Sequence, residues 1–237
     1  MQETFLICLP FAGAGASFFK SWQSQAPEGL RVVPVQLPGR EERLAEPAYT
    51  EAARAVEEAF SRVTEQVDGA CRVTLFGHSL GAVLAYELAH RLIEAQGFRD
   101  LHLFVSGSPS PYRGRTDFAS GLDDDEFLAR VRSFAGYSHP ALEDPEMREL
   151  LLPILRADVE MHESYRPSSS KPLSIPITSL RGTDDELVSA TEAAQWAEAT
   201  TGAFATVELA GGHMYLADHA DALLELITAG LGTVRGR

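Results

Sequence analysis

Gly77-His78-Ser79-Leu80-Gly81 sets one serine between two glycines, where an apolar β-like run gives way to a helical stretch rich in small residues (Ala82, Ala85, Ala89). This is the G-x-S-x-G nucleophile elbow, in which a strand turns into a helix so sharply that only glycine fits the flanking positions. The serine oxygen is lifted clear of the backbone, and Ser79 is the candidate nucleophile. A serine hydroxyl needs a base, which in this pattern comes later in the chain, after an acid. Ala210-Gly211-Gly212-His213 follows the last predicted strand, and its paired glycines let a loop bring the histidine to the sheet edge. His90, His102 and His162 fall inside helical or strand patterns, and His219 inside the final helical one, so His213 is the candidate base. The acid belongs just past the preceding strand, where Leu180-Arg181-Gly182-Thr183-Asp184-Asp185 offers two aspartates that spacing alone does not separate.

Attack on a carbonyl also needs backbone N–H groups aimed at the developing negative charge. One comes from the residue after the nucleophile, Leu80, and the other from the loop after an early strand, here Pro10-Phe11-Ala12-Gly13-Ala14-Gly15. That loop is not a dinucleotide turn, because Phe18 stands at the third glycine position of G-x-G-x-x-G, and no P-loop lysine follows. No His, Asp and Glu set has metal-ligand spacing, so neither metal nor cofactor is expected.

The elements that must position these residues alternate. β-like runs at 5–10, 31–36, 72–77, 101–106, 173–180 and 204–210 are separated by helical patterns such as Tyr49, Ala52, Val56, Phe60, Val63, Val67 and Leu84, Leu88, Leu92. A last stripe is Leu216, Leu223 and Ile227. Alternation of this kind predicts an α/β fold with a mostly parallel sheet and helices on both faces, in one domain over 1–237. Between Gly107 and Lys171 there is no good strand. Instead, Asp123-Asp124-Asp125-Glu126 caps a helix carrying Phe127, Val131 and Phe134, and Asp144-Pro145 opens another carrying Met147, Leu151, Ile154 and Leu155, with a kink expected at Pro153. A helical insertion over 107–171 is expected to form a lid over the ligand-binding edge of the sheet. Pro167-Ser168-Ser169-Ser170 reads as an exposed connector.

Composition narrows the partners. The 237 residues carry a formal charge of -14, which opposes binding to nucleic acid or anionic lipid. No window reaches the roughly 18 apolar residues of a membrane span. The start of the sequence lacks signal-peptide character, and the two cysteines, Cys8 and Cys71, sit in apolar runs as core residues. A cytoplasmic protein, monomeric and without a disulfide framework, is the expectation.

Taken together, these residues resemble the type II thioesterases, the stand-alone editing hydrolases of polyketide and nonribosomal peptide synthesis, which have the α/β-hydrolase fold. The resemblance covers nearly the whole chain. It rests on Leu9-Pro10-Phe11-Ala12-Gly13, Leu37-Pro38-Gly39-Arg40 with Glu42-Arg43, the GHSLG elbow and Leu152-Pro153-Ile154-Leu155-Arg156-Ala157-Asp158 followed by Tyr165. It continues through Gly182-x-x-Asp185-x-x-Val188-Ser189 and ends at Gly211-Gly212-His213. The resemblance implies Ser79 as nucleophile, His213 as base, Asp185 as acid, and Ala12 and Leu80 as the oxyanion N–H donors. It also implies an acyl group on the phosphopantetheine arm of an acyl- or peptidyl-carrier protein as substrate. Arg113 and Arg115 are the candidate carrier-docking cations, since both proteins are acidic overall and any attraction must be local. Phe11 and Ala14 depart from the family pattern, which favours histidine or tyrosine and a second glycine there. A small-molecule esterase, an acyl-CoA thioesterase and a non-catalytic binding module are the competing readings.

Overall fold

The computed structural model describes residues 3–67, 72–95, 98, 100–113, 118–135 and 140–233. Cys71 and Arg115, and the side chain of Phe134, lie outside the described residues. Six strands, β1 (Thr4–Leu9), β2 (Leu30–Pro34), β3 (Arg72–His78), β4 (Leu101–Ser106), β5 (Ile177–Gly182) and β6 (Phe204–Leu209), form one sheet in the order β2-β1-β3-β4-β5-β6. Every neighbouring pair is parallel. The central runs TFLICL and LHLFVS are buried along their whole length, as strands covered on both faces must be.

Alternate residues of β1 serve opposite faces. Ile7 and Leu9 join Val56 and Val63 of α2 (Ala52–Gln66) and Leu84, Leu88 and Leu92 of α3 (Leu80–Glu94). Leu6 and Cys8 join Trp22 of α1 (Lys20–Gln25) and Leu223 and Ile227 of α7 (Ala220–Thr233). Because β1 lies between β2 and β3, the winding direction reverses there, and the loops leaving β1 and β3 diverge to open a crevice at the carboxyl edge. The Ala12 loop leaves β1 and the serine elbow leaves β3. Among the described residues, no helix is long and apolar enough to cross a membrane.

Two helices fill the excursion between β4 and β5: α4 (Asp124–Ala135) and α5 (Pro145–Ser164). Asp123 Oδ1 accepts the Glu126 N–H at 2.9 Å, and Asp144 Oδ1 accepts those of Glu146 and Met147, both at 3.0 Å, so each helix opens on its expected cap. Several expectations shift. α5 continues through Pro153 as one element of 20 residues. Met147, expected in its apolar stripe, is exposed, because the first turn of α5 projects past the core that Leu152, Ile154 and Leu155 enter. The strand expected from 173 begins at Ile177, since Pro176 has no N–H for the ladder, and Leu173 keeps one isolated bridge to Thr200. Leu216 sits in a separate 3-10 turn ahead of α7, and His219 just precedes that helix. The serine connector is tied down: Glu87 of α3 accepts the Ser168 N–H at 3.1 Å and the Tyr165 hydroxyl at 2.6 Å.

The excursion is locked to the sheet by a buried ion pair. Arg40, after β2, donates Nη1 to Asp158 Oδ2 at 2.6 Å and Nη2 to Oδ1 at 2.8 Å, and the two side chains are 5% and 0% exposed. The remaining hydrogen-bonding capacity is used locally. Arg40 also donates to the carbonyls of Ala14 at 2.9 Å and Pro38 at 3.3 Å, and Asp158 Oδ2 accepts the Gly13 N–H at 2.7 Å. Three segments distant in sequence, the loops after β1 and β2 and the middle of α5, therefore meet at one carboxylate. Removing one partner strands the other charge in the interior, which typically costs about 3–5 kcal/mol. Arg40→Met and Asp158→Leu should each lose stability on that scale, and the double variant should lose clearly less than their sum. Urea unfolding of the four proteins measures the coupling, and strict additivity would mean the charges do not depend on each other.

Candidate active site

The serine sits where the backbone is under most constraint. Ser79 has φ 52° and ψ -116°, a left-handed conformation that costs a non-glycine residue about 1–3 kcal/mol. Its neighbours explain why it persists. A Cβ on Gly77 would come within 1.9 Å of the Gly81 carbonyl oxygen, and one on Gly81 within 2.4 Å of the Leu9 carbonyl oxygen. Strand, turn and helix are thus in backbone contact, with room only for hydrogen at both positions. The Ser79 N–H donates to Ser106 O of β4 at 2.8 Å, and Ser79 itself is half-buried at the head of α3.

The histidine loop interlocks with the end of β5. Asp184 N–H donates to Gly211 O at 2.9 Å, and a Cβ on Gly182 would meet the carbonyl oxygens of Gly211 and Gly212 at 2.3 Å. Gly211 takes φ 115°, which turns the chain so that His213 enters the site. There His213 Nδ1 lies 2.9 Å from Asp185 Oδ2, with both side chains almost fully buried. Oδ1 of the same carboxylate accepts the N–H groups of Leu187 at 2.9 Å and Val188 at 3.0 Å. Asp184 is exposed, and its side chain meets Thr183 Oγ1 at 3.3 Å, so the geometry distinguishes the two aspartates that sequence spacing left open. Burial opposes ionisation of Asp185. The His213 hydrogen bond and charge, with the Val188 and Leu187 N–H groups, outweigh that penalty and hold its carboxyl below the ordinary aspartate range.

Ser79, His213 and Ala12 line one cavity of about 650 Å³. Leu128 and Val131 of α4 and Ile154, Leu155 and Val159 of α5 wall it opposite the sheet, so the chamber is largely apolar around a small polar focus. The N–H groups of Ala12, which lines the cavity, and of Leu80, which opens α3 beside Ser79, have no hydrogen-bond acceptor among the described residues. Gly13, next to Ala12, takes φ 79° and is fixed by its bond to Asp158. No group of three or more His, Cys, Asp or Glu among the described residues could hold a metal ion.

Sequence reasoning passed over three side chains packed near His213. His78, Ser106 and Tyr215 are buried and joined by hydrogen bonds, and the His78 ring lies against that of His213. The available signal was His78 itself, a titratable residue at the end of a strand that is buried from Val73 onward. The Arg40–Asp158 pair also left a signal, since Asp158 falls on the apolar stripe of α5 set by Leu151, Ile154 and Leu155.

The family model of the thioesterase domain matches residues 4–231. The chain belongs to the thioesterase family. Thioesterase PikA5 of Streptomyces venezuelae is 36% identical over 231 residues, spanning 98% of this chain and 82% of that protein. The gramicidin S biosynthesis protein GrsT of Aneurinibacillus migulanus is 34% identical over 226 residues, spanning 94% and 86%. Among solved structures, the type II thioesterase BorB from the borrelidin biosynthetic cluster superposes with a TM-score of 0.86 at 38% identity, covering 97% of this chain and 93% of that one. The protein is accordingly a thioester hydrolase with the α/β-hydrolase fold.

The carboxyl of this thioesterase's Asp185 makes a pH-dependent contribution to stability. Its folded-state pKa lies below the unfolded value, so the ionised group stabilises the fold at pH above about 4 and the contribution is lost as pH falls through the folded-state value. The stability advantage of wild type over Asp185→Asn should be greatest near neutrality and shrink below pH 4. Urea unfolding of both proteins across this range provides the measurement, and a difference independent of pH would contradict it.

Proposed function

We propose that this thioesterase is a type II editing enzyme, which removes acyl groups from the phosphopantetheine arm of acyl- or peptidyl-carrier proteins of a polyketide or nonribosomal peptide synthase. The observation that carries the reading is the shared chamber. Ser79, Ala12 and the Asp185-bound His213 line one largely apolar cavity walled by α4 and α5, with the Leu80 N–H next to Ser79 at the start of α3. A relative named for gramicidin S biosynthesis and a structural neighbour described as a type II thioesterase from the borrelidin biosynthetic cluster support the substrate class.

In this reading Ser79 Oγ attacks the thioester carbonyl while His213 Nε2 takes its proton, and Asp185 holds the imidazole with its other proton on Nδ1. The oxyanion is received by the N–H groups of Ala12 and Leu80. Collapse of the tetrahedral intermediate breaks the C–S bond, and His213 returns the proton to the departing thiol. Water, deprotonated by the same base, then cleaves the acyl ester, releasing the acid and restoring Ser79. A thioester carbonyl has little resonance stabilisation, and these groups suffice without a cofactor. The segment 107–171 acts as the lid of a single-domain, monomeric, cytoplasmic enzyme.

Carrier docking falls to Arg113 and Arg115. Arg113 is paired with Glu198 at 3.0 Å, but both side chains are about half exposed, so the pair is weakly held and can exchange for a carboxylate of the carrier. An esterase acting on small soluble esters would share the triad and gain nothing from the carrier.

Ser79→Ala should fold normally, lose labelling by a fluorophosphonate and lose turnover by roughly 10³-fold or more. Asp185→Asn should lose on the order of 10⁴-fold, with Asp184→Asn near wild type. Comparison of kcat/KM for the same acyl group on a carrier protein and on a short thiol decides the substrate class, and equal rates on both would reject it. Replacing Arg113 and Arg115 by glutamate should slow only the carrier-bound substrate, by an amount that falls as salt rises.

A further inference from the structure

Asp185 grips His213 at Nδ1 only, and a single hydrogen bond leaves the imidazole free to swing about it. A second set of contacts restrains the ring. His78, fully buried, places its ring 4.7 Å from that of His213, centroid to centroid, at 48° between planes. Gly107, with φ 53°, backs both rings: a Cβ there would come 2.5 Å from His78 Cε1 and 3.0 Å from His213 Cε1. His78 Nδ1 lies 2.8 Å from Ser106 Oγ, which lies 2.6 Å from the Tyr215 hydroxyl. Tyr215 belongs to the His213 loop, and its N–H donates to Gly212 O at 3.2 Å. Ser106 meanwhile accepts the Ser79 N–H through its carbonyl. One residue of β4 thus holds the nucleophile by its backbone and the loop of the base by its side chain.

We propose that His78, Ser106 and Tyr215 form a positioning network that fixes the His213 ring relative to Ser79, and so governs the rate of acyl transfer without touching the substrate. The inference rests on the nucleophile and base assignments proposed above. In the tautomer with its proton on Nε2, His78 accepts from Ser106, and Ser106 accepts from Tyr215, so both links run in one direction. His78 Nε2 has no partner among the described residues, which leaves the Ser106 bond to set the rotation of its ring.

The charge states suit this role. Burial above all, then the neighbouring His213 and His162, push the His78 imidazole well below the ordinary histidine range, so it stays neutral beside the imidazolium that forms on His213. Burial raises the Tyr215 hydroxyl, against the Ser106 hydrogen bond and with the help of the Asp185 charge, and keeps it a neutral donor. His213, His162, Tyr215 and Asp185 are the titratable groups that act on the pair, and Phe11 meets His78 edge-on at 5.9 Å.

The test uses Tyr215→Phe, which removes one oxygen, together with Ser106→Ala and His78→Asn, on a short-thiol acyl thioester. Loss of the network should lower kcat on the order of tenfold to hundredfold, the usual penalty for a misplaced catalytic group. KM should change less than about twofold, because no substrate contact is lost. If Tyr215→Phe and Ser106→Ala lower the melting temperature but leave kcat unchanged, the network is packing alone and the proposal is overturned. His213→Ala separates the two inferences. An active His213→Ala rejects the assignment of the base, whereas an inactive one beside fully active network variants rejects only the network. Should His78→Asn fail to fold, Tyr215→Phe still decides.

Discussion

The bidentate bond between Arg40 and Asp158 holds together parts of the chain that no local preference would unite. Asp158 Oδ2 receives both the guanidinium and the Gly13 N–H, and Arg40 in turn holds the Ala14 carbonyl. The loop bearing the free Ala12 N–H is therefore fixed by a residue on α5, the helix that also walls the cavity. A well-packed apolar pair at this place would be no less stable on general grounds. It would not, however, present hydrogen bonds to a glycine N–H and an alanine carbonyl two residues from the reacting centre. The ion pair couples the shape of the chamber to the position of the Ala12 loop, so α5 cannot be displaced without disturbing both.

A second constraint is steric. Gly77 and Gly81 leave no space for a methyl group, and the left-handed Ser79 between them is held by the Ser106 carbonyl on one side and the first turn of α3 on the other. The strain is local, and the strands that resist it, β1, β3 and β4, are buried along almost their whole length. The two features belong together, since an unfavourable φ persists only where its surroundings over-determine it. The reward is a hydroxyl exposed to the cavity above a rigid floor.

Much of this was legible in the residues, for identifiable reasons. Parallel strands covered on both faces write themselves as apolar runs, and all six were readable, with an error at 173–176 where hydrophobic composition outweighed the missing N–H of Pro176. The caps at Asp123 and Asp144 were readable because capping is a local interaction. Met147 was misplaced because periodicity gives the angle of a side chain around a helix but not whether a core reaches that turn. What escaped was long-range. Arg40 and Asp158 each stood in a recognised motif, yet their union joins positions 118 residues apart, and nothing in either motif names its partner. His78 was hidden differently, read as the variable position of the elbow when its ring lies against that of His213.

The electrostatics of the site follow from where burial is compensated and where it is not. Asp185 keeps its charge in the interior because His213 and two backbone N–H groups compensate it, whereas His78, with no carboxylate against it, is held neutral by the same burial. In the proposed reaction, one fixed negative charge, that of Asp185, therefore lies beside the imidazole that becomes positive. In the proposed reaction the oxyanion is served separately, since Leu80 opens α3 and the unpaired N–H groups of a helix start carry a partial positive charge that favours an anion there. In the proposed reaction, charge separates along the line from the Ser79 carbonyl adduct to His213. Each end then finds a preformed partner, the α3 start and the Ala12 loop at one and Asp185 at the other. A chain of net charge -14 can thus run a reaction that develops an anion, because the potential that matters is set within a few ångströms by groups whose burial excludes the screening solvent.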